Sequence, residues 1–329
     1  SVEVRVGDQR LITRTGTTTV NLTGTLDNTA TTLTLDATTG SWVVAGGTIQ
    51  GGTVAASGGA ELIFNSNGNN RLDGVTVNGD LDLSTVNAAQ AKIVNGLVLN
   101  GTARVGGAGT YGVLNFEGSQ TLGGTGTIVF GTSGCDAVRI ATAATTLTLG
   151  PGITVRGHTG GIGYSGCFGG PADGTVVNQG TISADTAGGT ITVTAQSLDS
   201  QGILDGALGT LVLAGAWTNT GTLRVGDGSL NLGGTYATAD IGAILRAGTG
   251  TLRLTGTLDN TGATLALDVT TGSFVVDGGT ILAGTVTETG GALLAFGIDD
   301  LSPTGDQASF QGNMRGDQGS KTTGAMAIS

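Results

Sequence analysis

The residues able to do chemistry are few. The chain has one His, two Cys and two Lys among 329 residues, with 24 acidic and 11 Arg side chains. His158 stands in Gly157-His158-Thr159, and the Asp299-Asp300 pair that could serve it is far away in sequence. It reads as a solvent-exposed loop residue rather than a catalytic one. Proton abstraction from a polyuronate needs Lys or Arg to neutralise the substrate. Arg139 and Arg156 could lie on nearby coils, but no Lys or clustered acid accompanies them. Glycoside hydrolysis needs two carboxylates about 5–10 Å apart. Asp80 and Asp82 would share a strand face, with Asp73 as a neighbour. Such acids read more readily as outward charges on a solvated surface. One His and two Cys give no zinc pattern, and no nine-residue Gly/Asp calcium repeat is present. No catalytic residue, metal site or cofactor is assigned.

The elements that would position these residues follow from composition and period. Glycine supplies 64 residues and proline 3, with 38% apolar and 11% charged. Glycine is unfavourable in helices by about 1 kcal/mol relative to Ala. The apolar fraction and the scarcity of charge argue against disorder. Short strands rich in Thr, Val, Ile and Leu remain. Residues 22–64 return at 254–296 with 30 of 43 positions identical. Inside that long unit, Gly180, Gly202, Gly221, Gly242 and Gly262 recur in like contexts, at steps of 19 to 22 residues. A repeat of about 21 residues made of three short strands fits one coil of a β-solenoid. Coils stack about 4.8 Å apart, and stacking closes a core that one coil cannot form alone. The expected fold is all-β, a right-handed parallel β-helix of about 15 coils over residues 1–296.

Two segments interrupt the pattern. Residues 157–175 are Gly-rich and irregular, and are expected to protrude as an inserted loop. Residues 297–329 lack alternation and are expected to form a cap, a connecting arm or a tail. Cys135 and Cys167 each follow Ser-Gly and are 32 residues apart, about one coil plus the loop. A disulfide pinning the loop is expected, with free buried thiols as the alternative. His158, Tyr164 and Phe168 are the binding-loop candidates. Tyr111, Tyr164 and Phe168 could stack on sugars or pack the loop itself. Thr-x-Thr pieces recur too irregularly for an ice-binding array.

The N-x-G-T-[I/L] pieces and the string GTLDNTGATLALD resemble the β-helical passenger regions of autotransporters and the filamentous haemagglutinin-like exoproteins of bacteria. The resemblance implies a secreted or surface-attached protein acting in adhesion, coating or display. The net charge of −11 disfavours nucleic acid, which needs a basic face. No run of about 20 apolar residues suggests membrane insertion. The leading expectation is a non-enzymatic extracellular or cell-surface protein, a rod-like spacer or a filament-forming unit. Its expected partners are other copies of itself, stacked end to end into a filament or sheath, and surface glycans. A polysaccharide-active β-helix enzyme, a lyase or a tailspike-like hydrolase, and a carbohydrate-binding module are the alternatives.

Overall fold

The computed structural model describes residues 19–297 and the strands Ser309–Arg315 and Lys321–Ala327. The Asp299-Asp300 pair lies outside the described residues. The chain is an all-β solenoid of stacked parallel coils, with about 22 residues per turn. Its contacts group into two compact units, one up to Ile182 and one from Ser183.

In the first unit each coil has three sides. One side stacks Val20, Trp42, Leu62, Leu81, Ala103, Ile128 and Val155 in parallel register. A second side carries Leu26, Ile49, Leu72, Ile93, Phe116 and Ile140. A third carries Leu33, Val54 and Val77, then Leu99. Alternation explains the core. In Thr32–Leu35 the leucines are buried and the threonines exposed, as a pleat with one wet face requires. Trp42 and Phe64 are 1% and 0% exposed and are among the largest fully buried side chains of the core. The second unit stacks Ile191, Leu211, Leu230, Leu252, Phe274 and Leu294. The described stack has about 13 coils of about 22 residues, somewhat fewer than the fifteen coils of about 21 residues expected.

The duplicated segments fold alike. Val20 pairs with Trp42 and Trp42 with Leu62; Leu252 pairs with Phe274 and Phe274 with Leu294. Their corners are built from the same buried amides. Asn28 Nδ2 donates to the Thr53 carbonyl at 2.8 Å, and Asn260 Nδ2 to the Thr285 carbonyl at 2.9 Å. Both asparagines are 0% exposed, so each ties one coil to the next where the strands bend away. Of the segment 297–329, Ser309–Arg315 continues the parallel run on Thr280–Glu288, and Lys321–Ala327 pairs with it antiparallel.

Candidate functional site: a disulfide-clipped loop

The stretch expected as one protruding loop, 157–175, is only partly so. Gly160–Gly163 is a strand of the second side, with Gly161 paired to Ala137. Its glycines suit a tight stack: a Cβ on Gly160 would enter the Phe130 ring. The chain leaves the coil after Gly163, makes an antiparallel bridge between Ser165 and Gly169, and returns at Thr175. His158 belongs to the turn before this strand. It is half-buried, its N–H donates to the Phe130 carbonyl, and Nδ1 lies 2.6 Å from Thr159 Oγ1. It is therefore part of the coil, not of the loop.

Three contacts pin the 164–174 loop. A disulfide joins Cys135 to Cys167, with Cα atoms 5.4 Å apart. The Arg139 Nε–H donates to the Gly169 carbonyl at 3.0 Å. Phe168 packs on Tyr111 with ring centroids 5.7 Å apart and planes tilted by 58°. The tilted arrangement suits the ring quadrupoles. Between these anchors, Val113 and Ala137 occupy outward positions yet are 0% and 1% exposed. Tyr164 is left outward at 37% exposure. Of the aromatic candidates, Phe168 is engaged with Tyr111 and Tyr164 faces solvent.

A residue that the sequence did not single out supports this assembly from below. Asp136, next to Cys135, is 0% exposed. Its Oδ1 accepts the Gly112 N–H at 3.1 Å, and Oδ2 has no partner in the described structure. The carboxyl lies against Gly106, whose φ of +75° and lack of a Cβ allow the approach. Burial pushes its pKa up to about 7, against the backbone groups of Gly112, Ser133 and Gly131 that lower it. Asp136 thus holds the base of the 106–112 turn, and that turn presents Tyr111 to Phe168. The only sequence signal is the convergence of Gly106, Gly112 and Gly131 on one Asp at coil spacing.

Beside the loop runs a row of polar side chains. Arg71, Lys92, Asn115 and Arg139 are register partners on successive coils. Glu117 pairs with Arg71 at 3.3 Å and Lys92 at 3.4 Å, and Arg139 Nη1 donates to Asn115 Oδ1 at 2.8 Å. Arg156 does not join Arg139; it lies on the first side, opposite Val129. A shallow groove of about 200 Å³ follows the neighbouring corner, lined by Gly74, Asn95, Gly96, Thr121 and Gly123 among others.

The other acids are engaged in structure. Asp80 pairs with Arg104 at 3.0 Å. Asp82 is 2% exposed; burial raises its pKa, but the hydroxyls and N–H groups of Thr85 and Ser84 outweigh that and hold it low. Asp73 accepts from Asn95 at 2.7 Å. Asp36 and Asp268 cap matching turns: the N–H groups of Thr39 and Thr38, and of Thr271 and Thr270, hold their carboxyls low. Among the described residues no three His, Cys, Asp or Glu side chains converge as a metal site, and no helix is long and apolar enough to cross a membrane. Compared with known proteins, the chain matches no family model, no curated protein and no solved structure.

Proposed function

We propose that this chain is a non-enzymatic structural and adhesive module, a solenoid that presents its clipped loop to a surface glycan outside the cell. The observation that carries the reading is the three-point anchoring of residues 164–174 by a disulfide, an Arg–carbonyl bond and an aromatic pair. A loop fixed in this way loses little freedom on binding, which favours recognition. Tyr164 offers the exposed ring on which a sugar would stack. The adjoining row of Arg71, Lys92, Asn115 and Arg139 offers donors to hydroxyl or carboxylate groups. A disulfide accords with an oxidising, extracellular setting. The carboxylates support a non-catalytic reading, because those with lowered pKa are held by Ser and Thr in turns and Asp136 is sealed from solvent.

The test is a glycan array probed with the full chain and with Tyr164→Ala. Binding to a glycan class that falls about tenfold or more in the variant, with an unchanged melting temperature, is the expected result. Depolymerisation of any polysaccharide on the array, or binding indifferent to Tyr164→Ala, would overturn the reading.

A further inference from the structure

Within the second unit one ladder stops. Ile203, Thr222 and Ala243 are consecutive register partners, and their sheet ends at the strand Ala243–Arg246. The strand in the corresponding place of the next coil, Thr264–Leu267, pairs onward with Thr280–Glu288. Among the described residues no ladder joins it back to Ala243–Arg246. Two strand edges therefore flank a break in an otherwise continuous side. Ile244 and Arg246 sit at inward positions, opposite the buried Leu223 and Val225, yet are only half-buried, and Ala243 and Leu245 are exposed.

The break is held at its ends. Thr238 Oγ1 donates to Asn260 Oδ1 at 2.6 Å on one side. On the other, the Arg246 guanidinium donates to the carbonyls of Thr271 at 2.9 Å, Ser273 at 2.6 Å and Gly250 at 3.3 Å. Exposed apolar residues surround that second end. Leu245 is 51% exposed, Val269 in the turn contacted by Arg246 is 79%, and Leu293, whose N–H bonds to Ser273 Oγ, is 56%. The duplicated framework does not require them. In the first copy the positions of Val269 and Leu293 hold Ala37 and Glu61, and Glu61 pairs with Arg104. Unpaired edges and an apolar rim together are the features of a strand-addition site.

We propose that this break receives residues 2–6 of a second copy of the chain, added as a strand against the edges of Ala243–Arg246 and Thr264–Leu267. The sequence of that segment is Val-Glu-Val-Arg-Val, and it lies outside the described residues. In an extended conformation its three valines fall on one face and Glu3 and Arg5 on the other. The valines match the inward positions beside Ile244 and Leu265, and the charges face water. Five residues suffice for edges four residues long. The site differs from the clipped loop, so this inference does not rest on the glycan reading.

Light scattering coupled to gel filtration tests it on the full chain across a concentration series. The wild type is expected to associate as concentration rises. Val4→Asp and Leu293→Asp are each expected to raise the concentration for half-association about tenfold or more, with unchanged circular dichroism and melting. A peptide of residues 1–7 should dissociate the wild type, and the same peptide carrying Val4→Asp should not. A wild type that stays monomeric throughout would overturn the proposal. So would association that survives both substitutions, or that Leu293→Asp abolishes while Val4→Asp and the peptide leave it intact. Leu245→Ser, a milder change at an exposed position, guards against loss by misfolding: association must weaken with it while the melting temperature holds.

Discussion

Asp136 is the residue whose chemistry reaches furthest into the fold. A carboxylate is costly to bury without full hydrogen bonding, and here one oxygen is satisfied and the other is not. The folded state therefore favours the proton, with a pKa near 7 against an ordinary value of 3.8. The sign follows by linkage. A group whose folded pKa is raised contributes its stability fully below the unfolded pKa, and the contribution is lost as pH rises through the folded pKa. Stability should therefore fall between about pH 4 and pH 7, by at most about 4 kcal/mol for a three-unit shift. Asp136→Asn keeps an acceptor for the Gly112 N–H but cannot ionise. Thermal melts from pH 4 to pH 8 should show the slope in the wild type and a shallower one in the variant. Parallel profiles would rule Asp136 out as the source.

The clipped loop and the asparagine corners are devices of the element scale, and their energies can be separated. Replacing both Cys135 and Cys167 with Ser frees a 32-residue connection. The expected cost is about 2–4 kcal/mol. Hydrogen exchange should accelerate across residues 164–174 while the neighbouring strand Ala137–Ile140 stays protected. Equal loss in both would mean that the loop and coil open as one. Asn28→Ala removes a buried donor from the Thr53 carbonyl and should cost about 1–3 kcal/mol. Asn260→Ala should match it within the same range, because the duplicated corners are built alike; denaturant melts of both variants compare them. These elements also mark what the sequence could and could not convey. The solenoid and its duplication were legible because in-register stacking prints the same apolar positions at every coil. The Cys135–Cys167 pairing followed from spacing and like contexts. The end of the coil at Gly163 did not, because Gly160–Gly163 reads as irregular by propensity and becomes a strand only through the neighbour that pairs with it. Asp136 was hidden for a related reason: its partners Gly106, Gly112 and Gly131 are distant in sequence. The break beside Ala243–Arg246 was hidden because the 20-residue period runs through it undisturbed.

At the scale of the molecule, stability resides in contacts between successive coils. Each rung of a ladder touches the rungs before and after it, so a solenoid behaves approximately as a one-dimensional chain of units and interfaces. The second unit offers a clean test, since its ladder of Ile191, Leu211, Leu230, Leu252, Phe274 and Leu294 is apolar throughout. Leu230 is 0% exposed at a middle rung. Leu230→Asp would place an unpaired charge there, a change expected to cost several kcal/mol if the side chain stays buried. The coil carrying it should yield first, because its interfaces to Leu211 and Leu252 are the ones directly damaged. Hydrogen exchange is therefore expected to rise most at Thr210–Asn219, Ser229–Leu232 and Thr251–Leu254. It should rise less at Leu294–Phe296, two rungs farther along. A uniform loss of protection across the unit would show that its coils unfold as one cooperative body and that nearest-neighbour stacking is the wrong description. A graded profile would locate the energy in the coil interfaces, where the repeated apolar positions of the sequence place it.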